Sequence, residues 1–479
     1  MTITSTDTIS AIATPPGRSG IGIVRLSGPD CNHIARQVLG FQPVPRKAYF
    51  TDFLDRNGEV IDKGIALFFK GPNSFTGEDV LELQGHGGIF VLNSILKSTL
   101  DLGCRLANPG EFSERSFINN KMDLAQVEAI ADLINANSEQ AARSAFRTLE
   151  GAFSQRIDEL TASITELRVY LEAAIDFTDE DIDFISEGNS VDRLQAIIRQ
   201  TGEVFKQARM GIILQEGITI AIAGRPNVGK SSLLNALSGR DSAIVTDIPG
   251  TTRDILKELI DVDGIPVHVT DTAGLRTSND RVEQEGVRRA RRAIGDADLV
   301  LLVVDSQSLV EAGDGYGTDS GSETRAGQAI KALFKETELP SSLLASHKIL
   351  AVFNKVDLLP ESSLNTDITI TMDGHRIPGL LVSAKTHVGI TALRDAFKHA
   401  VGYTAGEEGS FMARERHLRA LEKAVTYLES ADTQLRIGEN LELVAEDLRL
   451  AQVSLGEITG QLTSDELLGQ IFSSFCIGK

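Results

Sequence analysis

The chain has 479 residues, more than one ordinary core holds at ~150 residues per domain, and its 42% hydrophobic and 24% charged content is that of a soluble globular protein. A formal net charge of −20 works against nucleic-acid binding unless basic residues are concentrated locally. No apolar run approaches the ~18–20 residues needed to cross a bilayer, the N-terminus lacks the basic start and apolar core of a signal peptide, and the three cysteines are widely spaced and odd in number, against a disulfide framework or zinc cluster. A cytoplasmic protein without membrane association is expected.

Residues 1–120 read as a mixed α/β unit. Alternating segments Ile21–Leu26 and Val80–Gln84 have strand character and run into Gly28-Pro29 and Gly85-His86-Gly87-Gly88. From Met122 the period becomes helical, with Leu124, Val127, Ala131 and Ile134 on one stripe and amphipathic stretches to about Met210. These make residues 121–216 the first part of a helical domain. Across 217–401, the short apolar runs Ile218–Ala223, Val267–Thr270, Leu299–Val304 and Ile349–Phe353 alternate with helices, the signature of a parallel, doubly wound sheet. Gly313–Gly327, rich in Gly, Ser, Asp and Thr, reads as a flexible loop. Over 402–479 helices return, one stripe being Leu418, Leu421, Val425 and Leu428 and another Val444, Leu448, Ala451 and Leu455. Helices before and after predict a helical domain interrupted by an inserted α/β domain, whose two ends must lie close together.

Gly224-Arg225-Pro226-Asn227-Val228-Gly229-Lys230-Ser231 follows a strand and opens a helix, continuing through Ser232. In that context backbone N–H groups wrap phosphates at a helix N-terminus. Lys230 supplies a cation to the β- and γ-phosphates, and the Ser231 hydroxyl suits Mg²⁺. The base is specified by Asn354-Lys355-Val356-Asp357: a carboxylate there accepts from guanine N1–H and N2–H₂, a donor pair that adenine lacks. Ser383-Ala384-Lys385 follows another strand and can close the base pocket. Asp271-Thr272-Ala273-Gly274 ends a strand, with Asp271 reaching the Mg²⁺ shell through water and Gly274 the γ-phosphate. Within Gly250-Thr251-Thr252-Arg253-Asp254, the Thr252 hydroxyl can join Mg²⁺ only when GTP is present, which makes the element a γ-phosphate-dependent switch. All five in this order predict a GTP hydrolase.

Small GTPases place a water-orienting glutamine after the Asp-x-x-Gly motif, and many receive an arginine finger. Here the position is Leu275. Glu283, in the polar segment Arg276–Glu285, can orient water through an intervening water or be a solvated surface residue. The basic run Arg288–Arg292 reads as a solvated helix face, or as a local nucleic-acid contact that needs a partner surface as well.

With these motifs, the passages Ala13–Arg18, Ser74–Asp79 and Asn108–Ser113, and the terminal Cys476-Ile477-Gly478-Lys479, the chain resembles the MnmE (TrmE) family of tRNA-modification GTPases over essentially its whole length. The Gly313–Gly327 loop departs from the shorter family pattern. The resemblance implies a Ras-like G domain that dimerises across its nucleotide faces, with K⁺ in place of an arginine finger. It implies Asn227, Thr246, Ile248 and Thr251 as K⁺ ligands, Thr246 also belonging to the nucleotide site, and Glu283 as the catalytic residue. It further implies that residues 1–120 form a folate-binding, homodimer-forming module in which Arg25, Glu82, Lys121 and the terminal Lys479 hold a tetrahydrofolate derivative, 5,10-methylene- or 5-formyl-. Cys476 is its candidate functional thiol. By the same resemblance the partner is the flavoprotein MnmG (GidA), in a heterotetramer, and the substrate is the C5 position of the wobble uridine in certain tRNAs, which receives an aminomethyl-type group. Two other classes of function stand beside it: a ribosome-assembly switch GTPase with an RNA-docking helical arm, and a scaffold whose GTPase gates dimerisation.

Overall fold

Within β2 (Ser19–Ser27) Val24 and Leu26 are fully buried while Arg25 between them is not, and in β5 (Val80–Gly87) Leu81 and Leu83 are buried around a half-buried Glu82. That period-two pattern turns one face of a sheet inward. The computed structural model describes residues 7–176, 189–238, 257–271, 292, 294–309, 325–337, 339, 342–345, 348–359, 367–400, 411–437, 440–461, 465–473, 475 and 478. They fall into two compact units. The first gathers Met1–Asn135, Ala145–Phe205 and Glu415–Lys479, and the second Ala136–Ser144 and Lys206–Arg414.

The first unit contains a six-stranded sheet in the order β3-β4-β5-β2-β1-β6, adding β1 (Ile9–Ile12), β3 (Tyr49–Leu54), β4 (Val60–Phe69) and β6 (Arg105–Leu106). All its pairings are antiparallel except β1 with β6. Helices Cys31–Leu39 and Ile89–Asp101 bury Ile34, Val38, Leu92 and Ile95 against Val24, Leu26, Leu81 and Leu83. The other described elements of the unit are helices. Leu124–Ile134 starts at a capping box between Asp123 and Gln126. Its predicted stripe is buried at Leu124 and Val127 but ends with Ile134 half exposed, at 50%.

In the Leu441–Thr459 helix Val444, Leu448, Ala451 and Leu455 are all buried, as their spacing predicts. The stripe expected in Glu415–Ile437 is rotated. Leu421 and Leu428 are buried, but Leu418 and Val425 are only partly so, and His417, Ala420, Ala424 and Ala431 share the buried face. Hydrophobicity alone selected the larger aliphatics, whereas small alanines let a helix approach its neighbour closely.

The second unit holds a seven-stranded sheet, β12-β13-β11-β10-β7-β9-β8. The five central strands β7 (Ile218–Gly224), β9 (Ile265–Asp271), β10 (Leu299–Asp305), β11 (Ile349–Asn354) and β13 (His375–Leu381) are parallel. The edges β8 (Lys257–Val262) and β12 (Asp367–Met372) are antiparallel hairpin partners that the sequence reading did not anticipate. Buried residues lie on both sheet faces, Ile220, Ile222, Leu301 and Val303 on one and Ala221, Ala223, Val300 and Leu302 on the other. This two-sided burial explains the unbroken apolar runs. Met210 and Leu214, from the end of the Ser190–Glu216 helix, join the first of these cores. The segment expected as a loop to Gly327 ends earlier, because the Arg325–Thr337 helix takes its last three residues.

Candidate nucleotide site and a second cluster on the N-terminal sheet

Parallel strands open their carboxyl ends on one edge, where ligands bind in sheets of this kind. Gly224, Asp305, Asn354 and Leu381 close β7, β10, β11 and β13 there. After Gly224 the loop turns sharply, with Asn227 (φ 65°) and Gly229 (φ 91°) left-handed. A Cβ on Gly229 would stand 2.4 Å from Asn354 Nδ2, so the position accepts glycine alone. The Lys230–Ser238 helix begins at once. Its inner face is Leu233, Leu234, Ala236 and Leu237, and Ser231 and Ser232 are exposed on the first turn, where N–H groups lack helical partners. Lys230 Nζ donates to the Gly224 carbonyl at 3.0 Å and to that of Arg225 at 3.4 Å, which holds the ammonium over the loop.

Asn354 is 1% exposed and ties two loops together. Its Nδ2 donates to the Val228 carbonyl at 2.9 Å, and its Oδ1 accepts from Ala384 N–H at 3.1 Å. Asp357 lies on the short turn Val356–Leu358. The buried Ser383 hydroxyl donates to its Oδ1 at 2.6 Å and accepts from Thr386 N–H at 3.1 Å. One carboxylate oxygen is thereby fixed, and Oδ2 has no protein partner among the described residues. Lys355 is left-handed (φ 70°) and its Nζ pairs with Asp305 Oδ2 at 2.8 Å. Lys385 is exposed at the rim. The structure therefore brings together Gly224, Asn227, Val228, Gly229, Lys230, Ser231, Ser232, Asn354, Lys355, Asp357, Ser383, Ala384 and Lys385. Asp271 ends β9. Thr246, Ile248, Thr251, Thr252, Thr272, Ala273, Gly274, Leu275 and Glu283 lie outside the described residues, as do Arg288–Arg291. Sequence reasoning missed Asp305, whose signal was an acid closing the apolar run Leu299–Val304.

Among the described residues no group of three His, Cys, Asp or Glu is placed to hold a metal. A cation at this site would rest on hydroxyl, amide and phosphate oxygens, which suits Mg²⁺ and K⁺. The glycine-walled loop with Lys230 above it fits a polyphosphate. No described helix is long and apolar enough to cross a membrane. Cys31 and Cys104 are free and buried, and burial pushes the Cys104 thiol up to about 12.

In the first unit, Arg25 and Glu82 face each other across β2 and β5. Arg25 Nε and Nη2 lie 3.0 and 2.8 Å from Glu82 Oε1. The guanidinium stands 5.7 Å from the Phe75 ring centroid and 5.9 Å from that of Phe112. Among the described residues Glu82 Oε2 accepts only a long bond, 3.4 Å, from Gln84. An aromatic-flanked ion pair with one carboxylate oxygen weakly engaged suits a flat heterocycle bearing amino and carbonyl groups. Lys121 follows the Glu111–Ile118 helix, its stem beside Gly77. Cys476 and Lys479 lie outside the described residues, but Phe475 and Gly478 are buried. Phe475 packs with Leu124, Val127, Ile471 and Phe472. A Cβ on Gly478 would meet the Ile12 carbonyl at 2.4 Å, one register step along β1 from Ala11, the partner of Arg25. Phe475 is an anchor of the helical core, because an aromatic ring gains more there than in water.

The family model for the MnmE helical domain matches residues 124–476, and that for the GTP-binding protein TrmE N-terminus matches residues 8–121. Curated relatives called tRNA modification GTPase MnmE match end to end. The protein of Marinobacter nauticus is 51% identical over 476 residues, covering 99% of each chain. That of Proteus mirabilis is 52% identical over 476 residues, 99% of this chain and all of that one, 100%. That of Hydrogenovibrio crunogenus is 51% identical over 482 residues, 100% of both.

Proposed function

This chain belongs to the MnmE (TrmE) family of tRNA modification GTPases, and on that premise we propose that it couples K⁺-dependent GTP hydrolysis to a folate-dependent modification of C5 of the wobble uridine in certain tRNAs. The observation that carries the nucleotide part is the joining of the phosphate loop, Asn354, Ser383 and Asp357 at one sheet edge. Residues 217–401 form the GTPase domain, 1–120 the folate and dimerisation module, and 121–216 with 402–479 the helical domain. Gly224, Asn227–Ser232, Thr246, Thr251, Thr252, Asp271–Gly274, Asn354, Lys355, Asp357 and Ser383–Lys385 bind GTP, with Ser231 and Thr252 toward Mg²⁺. Asn227, Thr246, Ile248 and Thr251 hold K⁺. The cations would neutralise charge developing on the phosphates, as an arginine finger does elsewhere. Glu283 orients the attacking water.

Arg25, Glu82, Lys121 and Lys479 hold the tetrahydrofolate derivative, which would supply the one-carbon unit. The position of Gly478 beside β1 supports an arrangement in which the tail and the folate residues belong to the same chain. The chain acts in the cytoplasm as a homodimer, in a heterotetramer with the flavoprotein MnmG (GidA), and Cys476 is its candidate functional thiol. GTP turnover should be fast in K⁺ and slow in Na⁺ at matched ionic strength, because the smaller ion coordinates the same oxygens poorly. Equal rates in the two salts would remove K⁺ from the reading.

The modification itself is tested by mass spectrometry of wobble nucleosides from a strain lacking the gene, complemented with the full chain or with one lacking Cys476–Lys479. The full chain should restore the modified uridine. The truncated chain should bind GTP normally, bind folate weakly and leave the nucleoside unmodified. Normal modification and folate binding by the truncated chain would overturn the assignment of the tail.

A further inference from the structure

Asp305 ends β10 and stands in register with Asn354 at the end of β11. The next residue, Lys355, returns its ammonium to Asp305 Oδ2 at 2.8 Å. The lysine stem therefore crosses between two strand ends ~4.8 Å apart, on the edge where Val303 of β10 pairs with Gly224 of β7. Asp305 is itself fixed: its Oδ1 accepts from Gln307 N–H at 3.0 Å, and its carbonyl accepts from the Ser308 hydroxyl at 2.7 Å. Both charged side chains are partly exposed, 27% for Asp305 and 32% for Lys355, so the pair adds little to stability. Its consequence is conformational. A four-carbon chain that would otherwise sample many rotamers is drawn toward Asp305 along one path, and a methylene stem so held offers an apolar strip to one face of a purine.

We infer that Asp305 is a positioning residue for the guanine nucleotide, acting through Lys355. It holds the lysine stem in place before the base arrives, so less entropy is lost on binding. The inference rests on the reading that Lys355 and Asp357 border the base. Asp305→Asn is the informative substitution, because the amide oxygen still accepts from Gln307 while the ion pair is lost.

Release of a fluorescent GDP analogue from the full chain, followed by stopped flow, is the measurement. Asp305→Asn should accelerate release about fivefold, the ratio expected for a partly exposed ion pair, with the melting temperature unchanged. Lys355→Ala should accelerate it at least as much. In the Lys355→Ala background Asp305→Asn should add nothing, since residues acting through one contact are not additive. Wild-type release from Asp305→Asn, or effects that multiply in the double variant, would overturn the inference while leaving Lys355 in the base site. Unchanged release from Lys355→Ala would overturn the base-site reading of that lysine, and the inference with it.

Discussion

Asp357→Asn should lower GTP affinity by ~10⁴-fold, the range for a site built to hydrogen-bond a ligand group that it no longer matches, and should raise affinity for xanthosine triphosphate. The geometry sets the direction. Ser383 donates to Asp357 Oδ1 at 2.6 Å, so an asparagine keeps its oxygen on Ser383 and presents its amide outward. Guanine offers N1–H and N2–H₂ to that position, and donor would face donor. Xanthine carries a carbonyl at C2, which accepts from the new amide. Folding should be unaffected, because residue 357 is exposed on its short turn. Parallel titrations with the two nucleotides decide the matter, and an unchanged GTP affinity would remove Asp357 from the base site.

The fold was legible where local chemistry and burial agree. The apolar runs of β7, β10 and β11 are buried on both faces, and the glycine and lysine of the phosphate loop have one structural use, so sequence alone identified them. The antiparallel edges β8 and β12 were not legible, since half-exposed strands such as Asp367–Met372 carry a weak apolar signal. Nor was Asn354 as a bracket between loops: its bonds to Val228 and Ala384 span 126 and 30 residues of sequence, and spacing rules do not reach that far. The Arg25–Glu82 pair was named by resemblance, but its cross-strand register, and the Phe75 and Phe112 rings beside it, required the sheet. Glu128 is the clearest omission. A carboxylate on the apolar stretch Leu124–Ile134 signals a buried partner, and that partner lies 288 residues away at Arg416.

Removing that carboxylate should have the largest effect on stability. Glu128 is 1% exposed. Arg416 Nε and Nη2 donate to it at 2.8 and 2.7 Å, and His417 Nε2 lies 3.0 Å from Oε2. Arg416 also donates to the carbonyls of Glu457 and Ile458, at 2.9 and 3.1 Å, at the end of the Leu441–Thr459 helix. Burial alone would raise the Glu128 pKa, but the charges of His417 and Arg416, with their hydrogen bonds, outweigh it and hold the carboxyl far below its usual range.

Glu128→Ala strands the Arg416 guanidinium in a low-dielectric site and should cost ~3–5 kcal/mol, seen as a fall of about 10 °C in the melting of the first unit. GTP affinity should be retained, because the nucleotide residues belong to the second unit. The sign with pH follows from linkage: the folded pKa is depressed, so the unfolded chain binds more protons and this stabilisation rises with pH. It is fully present above the unfolded glutamate value of about 4.3 and is lost as pH falls toward the folded one. Calorimetry of wild type and Glu128→Ala at neutral pH and in steps down through pH 4 should show a wide gap that narrows with acid. Equal melting at neutral pH, or a gap that does not narrow, would mean that the cluster contributes nothing to holding Arg416 and the first turn of its helix, Glu415–Ile437.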